Sequence, residues 1–362
     1  MDEVMKERDK GKTEGRLISD IREKITPSLW IGTLFVIAVL WTRSPLLAGP
    51  KGQKAQESTG IGETIRIGVA RTPLSSPAVL ALKQRLFTKE GLDVTIKEYS
   101  SGRQALESMF AGEVDISTVA DTPLVFSSFD RRDYSIFATF VYSYHDSKII
   151  ASKDKNINTV ADLKGKKVGT YRGTSAHFFL ALCLTYNHVS IAEVELINIK
   201  TADLPVSLQN NEVDAISVWE PFAHEAKQLL KDKAIELPCG EIYRTTFNFA
   251  VMKGFAKDHP ETLQNFLRAV DNAVTFIRNN KEKSQAIVAT SLNLDEENVK
   301  AIWDDYVFEI FLDQSLLLSW EDIARWAIKN KFTDKTKVPN YLNFIYLGGL
   351  EAVKPEAITI IR

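Results

Sequence analysis

The chain is 362 residues long and holds 45 Lys and Arg residues against 47 Asp and Glu residues, which gives a formal charge of −2. This length is sufficient for two domains, and the balanced charge argues against a nucleic-acid-binding protein with a basic surface. The two cysteines, Cys183 and Cys239, are too few for a disulfide framework and lack metal-ligand spacing. A single disulfide bridge between the two cysteines remains an alternative to two free thiols. Neither a metal site nor a cofactor is expected.

An apolar segment near the N-terminus predicts contact with a membrane. Residues 25–42 carry no charge, and their 18 residues approach the length of about 20 that crosses a bilayer. Lysine and arginine are more numerous before this segment than after it, so residues 1–24 are predicted to be a cytoplasmic tail. We favour an uncleaved transmembrane anchor at 25–49, because 24 preceding residues are long for the n-region of the alternative, a cleaved secretory signal.

A polar segment, residues 50–63, is predicted to be a linker to a body on the extracytoplasmic face of the membrane, in the periplasm or its equivalent. The body begins with alternating strands and helices. Residues 65–70 predict a strand, and Ser76 followed by Pro77 predicts the start of a helix. Further strands are predicted at 93–99 and 115–120, and this alternation favours a doubly wound parallel sheet.

A second unit of the same plan follows from about residue 149. Its strand at 167–171 leads into the loop Arg172-Gly173-Thr174-Ser175 and a long helix, and a further strand is predicted at 195–199. The strand at 247–252 is predicted to return to the first unit. We therefore assign residues 64–148 and 245–362 to lobe 1 and residues 149–244 to lobe 2.

The C-terminal part is predicted to be mostly helical. Asp258 and Glu261 have the spacing of a helix-capping pair, and two more helices are predicted to start near Asp295 and Ser319.

One short pattern occurs twice. The stretch 101–123, SGRQALESMFAGEVDISTVADTP, has a fainter copy at 208–222, LQNNEVDAISVWEPF. In each copy an acidic residue, Asp121 or Glu220, lies six positions after the Asp of Glu-Val-Asp, with a proline just beyond. Both copies predict a polar loop at the carboxyl end of a parallel strand, where open α/β sheets bind ligands. Two such loops predict a cleft between two lobes.

Five phrases carry a family resemblance: IRIGVARTPLSSPAVLAL, KEGLDVTI, SSGRQALESMFAGEVDI, DLKGKKVGTYRGTSAHFFL and EVDAISVWEPF. Over residues 64–280 the chain resembles the extracytoplasmic substrate-binding proteins of ABC transporters for sulfonates, nitrate and taurine, a group that includes pyrimidine-precursor binders. The resemblance implies an α/β, type II periplasmic-binding-protein fold, two doubly wound lobes with a ligand cleft, preceded here by an N-terminal membrane segment. It also implies a small-molecule ligand, ABC permease and ATPase subunits as partners, and a monomeric body.

The resemblance places ligand contacts on the loops at strand ends, where helix N-termini offer unpaired amides to an anion. The candidate ligand-binding residues are Arg71, Thr72, Ser76, Ser101, Gly102, Asp121, Thr122, Tyr142, Gly173, Thr174, Ser175, Trp219, Glu220, Arg244 and Asn248. No catalytic residue is expected.

Several of these residues have a structural alternative. The serines and threonines also suit helix caps, and Trp219 suits either the core or a stacking wall. Asp121 and Glu220 would repel an anion, so they are alternatively expected to cap helices or to orient neighbours. The candidate counter-charges are Arg71, Arg103, Arg172 and Arg244, of which one or two are expected to matter.

Binding without chemistry is the favoured function, with an alkanesulfonate, taurine or nitrate as ligand. The alternative ligand is a pyrimidine-like or zwitterionic molecule, which Trp219, Tyr142, Tyr144 and the acids Asp121 and Glu220 would suit. An enzyme on the same fold, such as a relative of thiamine-pyrimidine synthase, is disfavoured because the sequence holds no cysteine cluster. A membrane-tethered sensor is disfavoured because the predicted 24-residue tail is too short for a signalling domain.

Overall fold

A computed structural model describes residues 63–361 of the chain. The predicted cytoplasmic tail (1–24), the predicted anchor (25–49) and the linker up to residue 62 lie outside the described residues. Within residues 63–361, no helix is both long enough and apolar enough to cross a membrane.

Strands and helices alternate along most of the described chain. The strands are β1 (Glu63–Ala70), β2 (Leu92–Tyr99), β3 (Ile116–Ala120), β4 (Tyr134–Ser143), β5 (Ser147–Ser152), β6 (Lys167–Thr170), β7 (Glu195–Asn198), β8 (Ala215–Trp219), β9 (Ala234–Leu237), β10 (Thr245–Met252) and β11 (Tyr306–Phe311). The helices are α1 (Ser76–Lys83), α2 (Leu86–Lys89), α3 (Gly102–Phe110), α4 (Asp121–Ser128), α5 (Ser175–Tyr186), α6 (Leu204–Gln209), α7 (Phe222–Leu230), α8 (Lys253–Asp258), α9 (Pro260–Asn279), α10 (Lys281–Leu292), α11 (Glu296–Ile302), α12 (Gln314–Lys329) and α13 (Gly348–Val353).

The strands form two separate sheets. The six-stranded sheet has the order β11-β4-β10-β3-β1-β2, and the five-stranded sheet has the order β7-β6-β8-β5-β9. In both sheets three strands run parallel, β3-β1-β2 in one and β7-β6-β8 in the other, and antiparallel strands complete the sheet. We call the six-stranded sheet with its helices the larger lobe, and the five-stranded sheet with its helices the smaller lobe. The two-sheet α/β architecture predicted from the sequence is therefore present.

The repeated Glu-Val-Asp pattern has the same structural role in each lobe. Asp115 precedes β3, and its Oδ2 accepts a 2.8 Å hydrogen bond from the Arg66 amide of β1. Asp214 precedes β8, and its Oδ2 accepts a 2.9 Å hydrogen bond from the Lys167 amide of β6. In both lobes the Asp amide donates back to the carbonyl of the same partner residue at 2.8 Å. Each Asp thus fixes the start of two parallel strands, which aligns their carboxyl ends.

The chain crosses between the lobes twice, after β4 and again after β9. The first crossing contains Asp146, whose side chain is 2 % exposed. Its Oδ1 accepts a 3.0 Å hydrogen bond from the hydroxyl of Tyr306, at the start of β11. Its carbonyl accepts one from the amide of Glu220, at the end of β8. This one residue is therefore bonded to both lobes.

A disulfide joins Cys183 of α5 to Cys239, with Cα atoms 5.4 Å apart. Cys239 lies in the second crossing, just after β9, and both cysteines are buried. The bridge that the sequence left open therefore fastens a long helix of the smaller lobe to the segment that leads back to the larger lobe.

The structure corrects two predictions about the C-terminal part. Residues 306–311 form strand β11, which pairs with β4, in a part of the chain that was predicted to be mostly helical and for which no strand was named. The following helix begins at Gln314, because Asp313 caps it by accepting a hydrogen bond from the Leu316 amide, so the predicted start near Ser319 is wrong. The predicted helix start near Asp295 is confirmed, since α11 begins at Glu296 and Asp295 caps it.

Two predicted helix starts also differ. Helix α9 begins at Pro260 after His259, and Asp258 instead ends the preceding helix α8, so the predicted Asp258 cap is absent. Thr72 caps a short turn before α1 by accepting a hydrogen bond from the Leu74 amide, and Ser76 is the first residue of α1 rather than its cap. The residues that directly precede α1 and α9, Ser75 and His259, make no side-chain capping hydrogen bond.

The disulfide is expected to contribute measurably to stability. Its two cysteines are 56 residues apart, and closing a loop of that length stabilises a protein by about 2 to 4 kcal/mol. We expect the double variant C183A/C239A to lower the free energy of unfolding in urea by this amount. A reducing agent should destabilise the wild type equally and leave the variant unchanged. An effect of the reducing agent on the variant would contradict this account.

A second prediction concerns the pH dependence of stability. Burial raises the pKa of Asp146 to about 7, well above the value of about 3.9 in an unfolded chain. The folded state therefore keeps a proton that the unfolded state releases, so this group's contribution to stability falls as the pH rises from about 4 to about 7. Asp146→Asn keeps an acceptor for Tyr306 and removes the ionisation.

The measurement is urea unfolding of D146N and wild type at pH 5 and pH 8. We expect the free energy of unfolding of D146N, relative to wild type, to rise by roughly 2 to 3 kcal/mol between these two pH values. A difference between the two proteins that is the same at both pH values would contradict the raised pKa.

Candidate ligand-binding cleft

A narrow cleft lies between the two lobes at the carboxyl ends of their parallel strands. The larger lobe contributes residues after β1, at the start of α3 and after β3, the smaller lobe contributes the start of α5 and the end of β8, and Asp146 comes from the first crossing. The lining residues are Ala70, Thr72, Leu74, Ser101, Gly102, Arg103, Ala120, Pro123, Asp146, Thr174, Ser175, Trp219 and Phe247.

Two helices, one from each lobe, begin at this cleft. Ser101 precedes α3, and its hydroxyl oxygen accepts a hydrogen bond from the Gln104 amide at 3.3 Å, as the capping pattern predicts. Thr174 precedes α5, and its hydroxyl donates to the Tyr171 carbonyl at 2.6 Å. The first amides of a helix have no acceptor within the helix, and the helix dipole makes this end positive. Both lobes therefore present partial positive charge to the same space.

Gly102 allows α3 to begin very close to the sheet. A Cβ atom at this position would lie 3.0 Å from the Cα of Val119 and 3.2 Å from the carbonyl oxygen of Thr118. Both contacts are with the backbone of β3, which cannot move aside. The glycine is thus required by packing of the helix start against β3, and this packing brings the α3 amides to the cleft.

Within the part of the chain that the structure describes, Arg103 is the one positively charged side chain that lines the cleft. Its Nη1 donates a 2.8 Å hydrogen bond to the carbonyl of Arg172, and its guanidinium carbon lies 4.9 Å from the centre of the Tyr171 ring. Its Nε donates to Glu107 at 2.9 Å within α3. Arg103 belongs to the larger lobe, whereas Arg172 and Tyr171 belong to the smaller lobe. Its side chain therefore joins the lobes beside the cleft.

Asp146 is the one carboxylate among the same lining residues. The apolar part of the wall is formed by Leu74, Pro123, Trp219 and Phe247. Trp219 is 7 % exposed and packs edge-on against Phe222 at 6.3 Å between ring centres. It therefore belongs both to the core of the smaller lobe and to the wall of the cleft, so the two roles considered for it are combined.

Two predicted acidic residues lie outside the cleft lining. Asp121 is fully buried, where its Oδ1 accepts hydrogen bonds from the Tyr243 hydroxyl and the Thr122 amide, and burial raises its pKa to about 6. Thr122 contributes its hydroxyl to the same group. Glu220 pairs with Lys148 at 3.1 Å and accepts a hydrogen bond from the His224 amide in α7. Both acids occupy helix starts, which is the structural alternative that the sequence suggested.

The other predicted residues outside the lining have partners of their own. Arg71 pairs with Glu225 across the lobes at 3.5 Å. Arg244 pairs with Asp313 at 3.1 Å and lies over the ring of Tyr142, with its guanidinium carbon 4.1 Å from the ring centre. Asn248 accepts a 2.6 Å hydrogen bond from the Thr139 hydroxyl in the larger sheet.

Ser76 and Gly173 also lie outside the lining of this cleft. The Ser76 hydroxyl donates to the Pro73 carbonyl at 2.5 Å. The Gly173 amide donates to Nδ1 of His177, and both residues line a second, more open cavity that shares Arg103 and Pro123 with the cleft. Burial, together with the positive charge of Arg172, lowers the pKa of His177 to about 3. This histidine is therefore neutral and adds no charge to either cavity.

Six of the fifteen predicted residues line the cleft: Thr72, Ser101, Gly102, Thr174, Ser175 and Trp219. Sequence reasoning named Arg103 only as a candidate counter-charge and did not single out Asp146. The signal for Asp146 was its position between the two predicted lobes, where a crossing segment must pass the mouth of the cleft.

Comparison with known proteins supports the same fold. A family described as NMT1/THI5 like matches residues 72–284. A Bacillus subtilis (strain 168) protein that carries the name of an aliphatic sulfonates-binding protein is 25% identical over 316 residues, which cover 84% of this chain and 91% of that protein. The taurine-binding periplasmic protein of Escherichia coli (strain K12) is 24% identical over 220 residues, covering 60% of this chain and 68% of that protein.

Among solved structures, the alkanesulfonate-binding protein of Xanthomonas axonopodis pv. citri bound to MOPS superimposes with a TM-score of 0.71 at 20% identity. The match covers 80% of this chain and 99% of that chain. The resemblance predicted from the five sequence phrases is confirmed. The chain belongs to the NMT1/THI5-like family and has the two-lobed α/β fold of the periplasmic binding proteins.

Proposed function

We propose that this protein is the extracytoplasmic substrate-binding component of an ABC importer and that it captures a small anionic solute of the alkanesulfonate or taurine type. The observation that carries the proposal is the convergence of two helix N-termini, α3 and α5, on one cleft from opposite lobes. The names of the Bacillus subtilis and Escherichia coli relatives support the same ligand class.

The lining of the cleft suits a sulfonate group. Unpaired amides at a helix start, together with hydroxyl groups, can bind an oxyanion without a full countercharge. Thr72, Ser101 and Ser175 supply the hydroxyl groups. The hydroxyl of Thr174 instead donates to the Tyr171 carbonyl and holds the start of α5 in place. The guanidinium of Arg103 lies beside these hydroxyl groups with a hydrogen bond already made to the smaller lobe. An apolar chain on the ligand would pack against Trp219 and its apolar neighbours.

Closure of the lobes is the proposed mechanism. A ligand held by both helix starts interacts with both lobes only when they are together, so it stabilises the closed state. Arg103 and Arg71 each make a contact between the lobes, and these two contacts would also stabilise the closed state. The closed form would then dock on a permease that works with an ATPase subunit.

The proposed location is outside the cytoplasm. The Cys183–Cys239 disulfide supports it, because such bridges persist mainly in oxidising compartments, and one relative is named as periplasmic. We further propose that the apolar segment at 25–49 tethers the body to the membrane, which rests on its length and its flanking charges.

The alternatives have less support. Tyr142 packs against Arg244 and does not line the cleft. Among the described residues that line the cleft, Trp219 is then the one tryptophan or tyrosine that could stack on a pyrimidine. Neither cysteine nor histidine occurs among the described residues that line the cleft, and both cysteines are in the disulfide. We therefore propose binding without a chemical step.

The first prediction tests the start of α5. T174V/S175A removes the Ser175 hydroxyl from the proposed sulfonate site and the Thr174 hydroxyl that holds the start of α5 on the Tyr171 carbonyl. A hydrogen bond to a charged group contributes about 1.5 to 3 kcal/mol. We expect the affinity for propanesulfonate, measured by calorimetry on the body comprising residues 60–362, to fall at least about tenfold.

The matched control is S190A, which removes a capping hydroxyl from an exposed turn of the same lobe, where Ser190 accepts a hydrogen bond from the Ala192 amide. This variant should lose some stability and keep the affinity for propanesulfonate. Unchanged affinity in T174V/S175A would show that α5 does not hold the anion.

The second prediction tests the contact between the lobes. R103A removes the hydrogen bond to Arg172 and the contact with Tyr171, so the closed state should become less populated and the affinity for propanesulfonate should fall about tenfold or more. Small-angle scattering should show a larger radius of gyration for R103A than for wild type without ligand.

The control is R325A, because Arg325 is an exposed side chain that pairs only within α12, with Glu321 and Asp322. It should change neither the radius of gyration nor the affinity. If R103A scattered like wild type and bound the ligand equally well, the proposed role of Arg103 in closure would be wrong.

A further inference from the structure

We propose that Asp146 binds a cationic group on the ligand, so that the cleft selects a small zwitterion, an aminoalkanesulfonate, over an alkanesulfonate of the same size. This inference rests on the proposed function, since it assumes that the other end of the ligand is the sulfonate. It adds a specificity-determining residue that sequence reasoning did not single out.

The position of Asp146 is the first observation. Among the described residues it is the one carboxylate that lines the cleft, and the residue is 2 % exposed. Among the described residues, the Tyr306 hydroxyl is the hydrogen-bond donor to its carboxylate, and it bonds Oδ1 at 3.0 Å. Oδ2 has no donor within residues 63–361, so one carboxylate oxygen at the cleft remains available to a ligand.

The second observation is that no lysine, arginine or histidine within residues 63–361 pairs with this carboxylate. Lys148, two residues away, pairs with Glu220 at 3.1 Å instead. Burial raises the pKa of Asp146 to about 7, and the negative charges of Glu220 and Asp305 act in the same direction, whereas Tyr306 and Lys148 oppose it. A buried carboxylate without a cation is costly, and an ammonium group from the ligand would supply the missing charge.

The third observation is that the cleft carries charge of opposite sign in different places. The amides and hydroxyl groups at the starts of α3 and α5 favour an anion, whereas the Asp146 carboxylate would repel one. A simple alkanesulfonate uses the first set of groups and places its apolar end in the same cleft as Asp146. A small molecule that carries both an ammonium group and a sulfonate would use both sets.

The other acids are unavailable for this role. Asp121 lies buried under Tyr243, and Glu220 is bonded to Lys148 and to the start of α7. Neither lines the cleft. The zwitterion alternative that the sequence attached to Asp121 and Glu220 therefore depends on Asp146.

The experiment compares two ligands of equal size. Taurine and propanesulfonate have the same number of non-hydrogen atoms, and an ammonium group in one replaces a methyl group in the other. We would measure both affinities by calorimetry at pH 8 with the body comprising residues 60–362, in wild type, D146N and D305N. Asp305 lies near Lys148 and lines a separate cavity, so D305N removes a negative charge that acts on Asp146 and leaves every residue that lines the cleft in place.

The expected result is a reversal of preference. Wild type and D305N should bind taurine at least about tenfold more tightly than propanesulfonate, and D146N should lose at least about tenfold in taurine affinity while keeping or improving its affinity for propanesulfonate. Folding of D146N is checked by its unfolding curve.

Several results would overturn the inference. Wild type binding propanesulfonate as tightly as taurine would do so and leave the proposed function intact. If D146N folded but lost affinity for both ligands equally, Asp146 would shape the cleft rather than bind the ammonium group. A D146N that keeps taurine affinity would remove Asp146 from the site. Binding of neither sulfonate to wild type would instead overturn the proposed function itself.

Discussion

The register between two parallel strands in each lobe decides where the cleft lies. Asp115 and Asp214 set this register by the same exchange of hydrogen bonds with the backbone of the neighbouring strand, at Arg66 and Lys167. Because the amino ends of each strand pair are aligned, their carboxyl ends reach the same edge of the sheet, and the loops that follow them emerge side by side. The cleft depends on this alignment, since each of its walls is made from such loops.

The electrostatics of the cleft follow from burial. Amides at the starts of α3 and α5 supply partial positive charge without long flexible side chains, so little side-chain entropy is lost when a ligand binds. Asp146 introduces a carboxylate into the same confined space, where burial makes its charge unfavourable until a cation pairs with it. Its bonds to Tyr306 and to the Glu220 amide also place it between the lobes, so the group that would recognise the ligand belongs to the segment that links them.

The disulfide and Arg103 constrain the same region from two sides. Cys183 lies in α5, the helix whose first residues line the cleft, and the bridge to Cys239 attaches that helix to the second crossing. Arg103 at the start of α3 reaches the loop before α5 through the Arg172 carbonyl. The two helix starts are therefore held in relation to each other where the lobes meet, which would limit the reorganisation that binding an anion requires.

The sequence by itself determined the two α/β lobes, the repeated Glu-Val-Asp pattern and the helix starts at Ser101 and Thr174. The alternation of strands and helices, the capping residues and the Glu-Val-Asp spacing are all local signals. The tertiary structure decided which charges face the cleft. Asp121 and Glu220 lie at the expected strand ends, but their carboxylates do not line the cleft. Tyr243 binds the first and Lys148 binds the second, and both partners are distant in sequence. Strand β11 and the position of Asp146 were likewise decided by pairing and packing between distant segments. Local patterns specify where a side chain leaves the backbone, whereas its direction and charge depend on partners that only the folded chain brings near.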